Sequence, residues 1–289
     1  QKEFGIDDFA VGLLAALSAN AFGAAAGAIA QATMGIAPIW GTLALMAGIA
    51  GFAAFGNTSV ERLFAWVSIL LYVVYALFFV LALTQFGDRI FSAFQVLRPG
   101  NGSWVASGVT YAAYNVVGAV IILPVTRHLT SNRDAVMAGM LAGPLAMLPA
   151  LLFFISMVAF MPEVAGQTLP SDFLLNKLGQ PVFHILFQLM IFCALLESGT
   201  GAVHAINERI ATVWERRRGS MPGRLARGAF ALALLVGCML IADRVGLVAL
   251  IAHGYRALAY LILAVYVVPL MTYGIWRLAK HDLHSSENL

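Results

Sequence analysis

The stretch Pro181–Arg218 reads PVFHILFQLMIFCALLESGTGAVHAINERIATVWERRR: an apolar run, then a carboxylate, then small polar residues, then arginines. Glu197 falls about 16 residues from Pro181, roughly 24 Å along a helix at 1.5 Å per residue. That is near the middle of a slightly over-long membrane helix. A charged residue at the bilayer centre costs about 2.5 to 3.5 kcal/mol on insertion scales, so it faces a partner or a wet cavity. The stretch therefore predicts a membrane helix with a polar centre.

Composition carries the same reading to the whole chain. Hydrophobic residues make up 61% and charged residues 11%, against about 45–50% and 25% in soluble domains. A mean hydropathy of +0.87 over 289 residues means a polytopic membrane protein. The alternating ten-residue segments of a membrane barrel are absent, so the fold class is all-α, a single transmembrane domain over residues 1–289. A net charge of +3 and a pI near 9.0 do not point to nucleic acid, because the arginines lie between apolar segments, where orientation requires them. Cys193 and Cys238 both sit in apolar runs and read as packed thiols.

Eight spans follow from the hydrophobic pattern: Phe9–Ala30, Ile39–Phe55, Phe64–Leu83, Ser107–Val125, Ala135–Met161, Pro181–Arg218, Leu225–Ala242 and Leu247–Trp276. Polar connections are expected from Gln85 to Ser103 and, as a long loop, from Pro162 to Gln180. The small residues of the first span suit close helix approach. Pro144 and Pro149 should kink the fifth. Twelve Lys and Arg fall on the side of both chain ends against four on the other, with Arg256 inside a segment. That bias places both ends in the cytoplasm. The chain starts with Gln1, and QKEFGIDD leads directly into a helix, so its beginning is expected to lie upstream.

Three constellations could carry chemistry. On the sixth span Glu197, Thr200 or Gly201, His204 and Glu208 recur at three- and four-residue steps and share one face, flanked by Ser198 and Asn207. Such a face can relay protons or coordinate a small, hard cation. The alternative is a protonated, hydrogen-bonded Glu197, with His204 and Asn207 approaching the cytoplasmic interface and Glu208 paired to Arg209 or a loop arginine. The fourth span, SGVTYAAYNVVGAVIILPV, has Gly108, Gly118 and Pro124 as backbone punctuation and Tyr111, Tyr114 and Asn115 in its first half. Short or glycine-interrupted spans point to a discontinuous helix at a transport site; interfacial aromatic packing is the plainer reading. Asn20 is the sole amide of an Ala/Gly helix and suits either a site or an interhelical hydrogen bond. Arg256 is a gate candidate that could equally snorkel. GxGxxG, Walker, HExxH and GxSxG motifs are absent and the six histidines show no metal spacing, so no enzyme and no cofactor is read.

At SGVTYAAYN and at ALLESGTGAVHAINERI the chain resembles the YkvI family of bacterial membrane proteins, through nearly its whole length, including GNTSVERLFAWVSILLY. That family stands near the amino acid–polyamine–organocation transporters. The resemblance implies a LeuT-like fold of ten core helices in two inverted repeats, with the present spans as helices three to ten and the first two missing. It makes the Tyr-Asn segment the broken sixth helix and Pro181–Arg218 the eighth. In sodium-coupled members hydroxyl residues midway along the eighth helix hold the ion; Glu197, Ser198 and Thr200 occupy that place here. A carboxylate there departs from the hydroxyl pair and makes proton coupling as plausible as sodium. The function implied is secondary active transport of a small polar solute, an amino acid or amine. The rival readings are a ligand sensor akin to germination-receptor subunits and a structural membrane partner.

Overall fold

The computed structural model describes residues 22–55, 57–96, 103–116, 129–167, 169–245 and 255–277; all secondary structure among them is helical. Five described helices are long and apolar enough to cross a membrane: Pro38–Phe55, Ser59–Val96, Asn132–Val158, Pro181–Arg218 and Ala259–Arg277. The chain is a helical membrane bundle.

Helix α1 (22–34) turns at Gly35, whose φ of 66° only glycine adopts freely, into α2 (Pro38–Phe55). The two pack with almost no side chain between them. A Cβ on Gly27 would stand 2.8 Å from the Pro38 carbonyl oxygen, and one on Gly41 would overlap the Ala26 carbonyl and Ala30. Thr42 adds a hydroxyl bond to the Gly23 carbonyl at 2.8 Å. The small residues of this hairpin thus do what their composition suggests.

Helix α3 (Asn57–Val96) corrects the sequence reading. The expected end at Leu83 and polar connection from Gln85 are wrong: the helix continues for another three turns. Within 84–96 no proline interrupts the helix and only Gly87 weakens it, and the extension is packed. Phe86 meets Phe160 edge-on at 4.9 Å, Ile90 is buried, and Arg89 lies 4.3 Å over the Phe160 ring and 3.3 Å from Glu163. Polar Gln85, Asp88 and Arg89 are the wet rim of a long helix, not a loop.

Helix α4 (Ser103–Val116) starts one turn before the expected Ser107; Gly118 to Val125 lie outside the described residues. Helix α5 (Asn132–Val158) is capped by Ser131, whose hydroxyl accepts from the Asp134 N–H, and runs on through Pro144 and Pro149. The expected loop from Pro162 to Gln180 instead contains a 3-10 turn (Glu163–Gly166) and helix α6 (Pro170–Leu178). Leu174, Leu175 and Leu178 bury one face of α6, which makes it part of the packed body.

Helix α7 (Pro181–Arg218) has the limits read from the sequence: Pro181 stands in its first turn and Gly219, at φ 71°, closes its end. Helix α8 (Arg224–Val245) follows, and α9 begins at Tyr255. After Ile262, α9 widens into π turns at Leu263–Val267 and Leu270–Gly274, either side of Pro269.

Two apolar clusters hold the bundle, and α7 runs through both. Its first half, with Phe183, Phe187 and Met190, packs with Val74 and Phe78 of α3, Phe160, and Leu174 and Leu175 of α6. Its second half, through Val203, packs with Leu45 and Ile49 of α2 and Ala231 and Leu235 of α8. The Glu197–Gly201 segment lies within the stretch of α7, Phe192 to Val203, that packs into the second cluster.

Candidate functional site

Helix α2 measures the membrane depth of Glu197. Its 18 residues span about 27 Å, just enough to cross the hydrocarbon core, so Pro38 and Phe55 must lie near opposite interfaces. Its midpoint meets α7: a Cβ on Gly48 would touch Leu196 Cδ1 at 2.8 Å, and one on Gly199 would touch Ile49 Cδ1 at 2.5 Å. Glu197 sits between these two contacts, near the bilayer midplane. Among the described residues it has no hydrogen bond or ion pair, and it is half-buried. One turn on, Thr200 is 0% exposed and its hydroxyl has no hydrogen-bond partner among the described residues. A carboxylate and a buried hydroxyl at midplane, flanked by glycines, can hold a proton or help coordinate a small cation.

The C-terminal continuation of this face is closed by charge pairing. Glu208 accepts from Arg227 of α8. Asn207, 3% exposed, donates through Nδ2 to the Arg227 carbonyl at 3.0 Å. His204 Nε2 is 3.9 Å from Glu208, and the imidazole lies in the electrostatic field of Arg227 and of Glu61 on α3. Glu208 thus pairs with the next helix, not with Arg209. The cluster ties α7 to α8 and reaches toward α3.

At the opposite end, Asp172 of α6 gathers three donors. His184 Nε2 is 2.8 Å from Oδ1, Gln188 Nε2 donates to Oδ1 at 3.2 Å, and Asn176 Nδ2 donates to Oδ2 at 2.9 Å. A carboxylate only accepts, so the imidazole Nε2–H is the donor. Gln188 is 2% exposed, and its amide oxygen has no hydrogen-bond partner among the described residues. Asp172 also lines a cavity of about 700 Å³ with Gln31 of α1, Gln167, Asn176 and Lys177.

The remaining sequence candidates that fall among the described residues do not converge on Glu197. Ser198 is exposed, turned away from Thr200. The described part of α4 packs on α9. There Tyr111 is exposed, Asn115 Nδ2 donates back to the Tyr111 carbonyl at 2.7 Å, and a Cβ on Gly108 would meet nothing within 4 Å. Asn20 and Gly118, and the side chains of Tyr114 and Arg256, lie outside the described residues. Sequence reasoning missed the Asp172 cluster. The signal available was His184 and Gln188, four residues apart on one face of an otherwise apolar run.

Comparison of the chain with protein-family models, with curated proteins and with solved structures gives no match.

Proposed function

We propose that the protein is a secondary active transporter of a small polar solute, driven by a proton or sodium gradient, built as a LeuT-like bundle of about eight spans with both ends in the cytoplasm. One observation carries this reading: Glu197, near the bilayer midplane, has no hydrogen bond or ion pair among the described residues, beside a buried, unbonded Thr200 hydroxyl. A purely structural carboxylate at that depth would be expected to have a hydrogen-bonding partner. One that must gain and lose a proton or an ion is instead left accessible.

Features at the two ends of α7 support the reading. The polar cavity beside Asp172 gives a mouth on one side of the membrane, and the Glu208–Arg227 pair closes the other. Alternating access then amounts to opening one while closing the other. The resemblance to the YkvI family suggests an amino acid or amine as the solute. Uptake into proteoliposomes with an imposed pH or sodium gradient tests the proposal. Gradient-driven accumulation by the wild type, lost in Glu197→Gln, is the expected result. Equal coupled uptake by both removes Glu197 from the mechanism.

A further inference from the structure

The turn between α7 and α8 ends both helices in exposed cations. Arg216, Arg217 and Arg218 form the last turn of α7 and Arg224 opens α8; all four are exposed. Between and beside them stand exposed apolar side chains: Met221 in the turn and Leu225, 92% exposed. Guanidinium groups alternating with uncovered apolar side chains suit neither water alone nor hydrocarbon alone. They suit the boundary between the two.

The structure fixes this hairpin at that boundary. Arg224 lies 5.6 Å over the ring of Phe55, the last residue of the membrane-crossing α2, and the adjacent turn of α8 packs Gly228 against Ala54. Arg218 lies 4.0 Å over the ring of Trp214, which meets Phe230 edge-on at 5.8 Å. An aromatic layer thus underlies the arginines, as at a membrane interface. Of the acids at this end of α7, Glu208 is taken by Arg227, and Glu215 stands exposed beside the arginines.

We infer that the α7–α8 hairpin is a docking surface for anionic phospholipid, with Arg218 and Arg224 on the headgroup phosphates and Met221 and Leu225 in the acyl boundary. The arginines keep two or more donors each while stacked, which is how a guanidinium binds a phosphate from above an aromatic ring. This surface is independent of the transport reading.

Native mass spectrometry of the full chain, released from a neutral detergent containing equal phosphatidylglycerol and phosphatidylcholine, tests it. The wild type should retain phosphatidylglycerol over phosphatidylcholine by about fivefold per engaged arginine. The double variant R218Q/R224Q should bring the two lipids to near parity. K177Q, which removes an exposed cation at the other membrane face, should leave the preference intact. Thermal unfolding of each variant checks that the fold is kept. The proposal is overturned by wild-type parity between the lipids, by an unchanged preference in R218Q/R224Q, or by an equal loss in K177Q. Competition by free inorganic phosphate would also overturn it, by showing a soluble-anion site.

Discussion

The Tyr72 hydroxyl on α3 donates to the Leu145 carbonyl on α5 at 2.9 Å, and Leu145 is the residue whose helical donor is removed by Pro149 four positions later. In hydrocarbon no water can take that carbonyl, so a phenol from the neighbouring helix does. Tyr72→Phe should cost about 1 kcal/mol, within the usual net worth of a hydrogen bond. Pro149→Ala restores an N–H at position 149, so in that background the cost of Tyr72→Phe should fall by more than half. Equilibrium unfolding of the four proteins in mixed micelles measures this. Strict additivity would show that the hydroxyl does not serve the proline-freed carbonyl.

The α1–α2 hairpin should discriminate between glycines. Gly41→Ala places a methyl against backbone that cannot move aside, and should cost about 1–3 kcal/mol as overpacking. Gly48→Ala meets only the far end of the Leu196 side chain, and Gly108→Ala meets nothing within 4 Å. Both should stay within about 1 kcal/mol of the wild type. Thermal melts of the three variants rank them, and a Gly41→Ala protein as stable as Gly108→Ala would contradict the close approach.

At the Asp172 cluster the two ends of a hydrogen bond should behave differently. Asp172→Ala strands the His184 and Gln188 donors and should cost about 1–3 kcal/mol. Gln188→Leu removes a buried amide whose oxygen is unbonded, leaves Asp172 two donors, and should be neutral or stabilising. Chemical unfolding of both variants is the check. A costly Gln188→Leu would mean that the amide is satisfied in solution.

How much of this was legible in the sequence depended on whether the signal was local. The ends of helix α7 are legible because Pro181 and the arginines 216–218 are local marks, and its polar face because 3.6-residue periodicity needs no partner. The last three turns of α3 were missed because Phe86 and Ile90 are anchored by Phe160, some seventy residues away. Helix α6 is nine residues, too short to show a period, and its leucine face has meaning only against α7 and Phe160. The chemistry divided the same way. Glu197, Thr200 and His204 share a face that the spacing of one helix shows, whereas the partnerships Glu208–Arg227 and Asp172–Gln188 join elements whose approach no spacing encodes.

The Glu208–Arg227 pair is partly buried, so removing one member should cost more than an exposed pair and less than a fully buried one, about 1–3 kcal/mol. Arg227→Gln and Glu208→Gln should each destabilise, and the charge swap Glu208→Arg/Arg227→Glu should recover part of the loss. If the pair also closes one side of the solute path, either single variant should raise solute leak down its own gradient in proteoliposomes while lowering gradient-driven accumulation. Loss of stability without leak would make the pair a structural tie between α7 and α8 and nothing more.

Glu197 is where stability and function should oppose each other. Replacing a midplane carboxylate by an amide of the same shape removes the cost of an ionisable group in hydrocarbon, so Glu197→Gln should melt at the same temperature as the wild type or higher. The same change removes the only carboxyl group on that part of α7, so gradient-driven uptake should fall to the level of empty vesicles while downhill exchange of solute persists. Thr200→Val, which deletes the buried hydroxyl at constant shape, separates the two coupling ions. If sodium is carried, sodium dependence weakens by tenfold or more, since a coordinating oxygen is lost; if protons are carried, uptake against a pH gradient stays close to wild type. A Glu197→Gln protein that is less stable than the wild type would place a hydrogen-bonding partner on the carboxylate and take away the observation on which the transport reading stands.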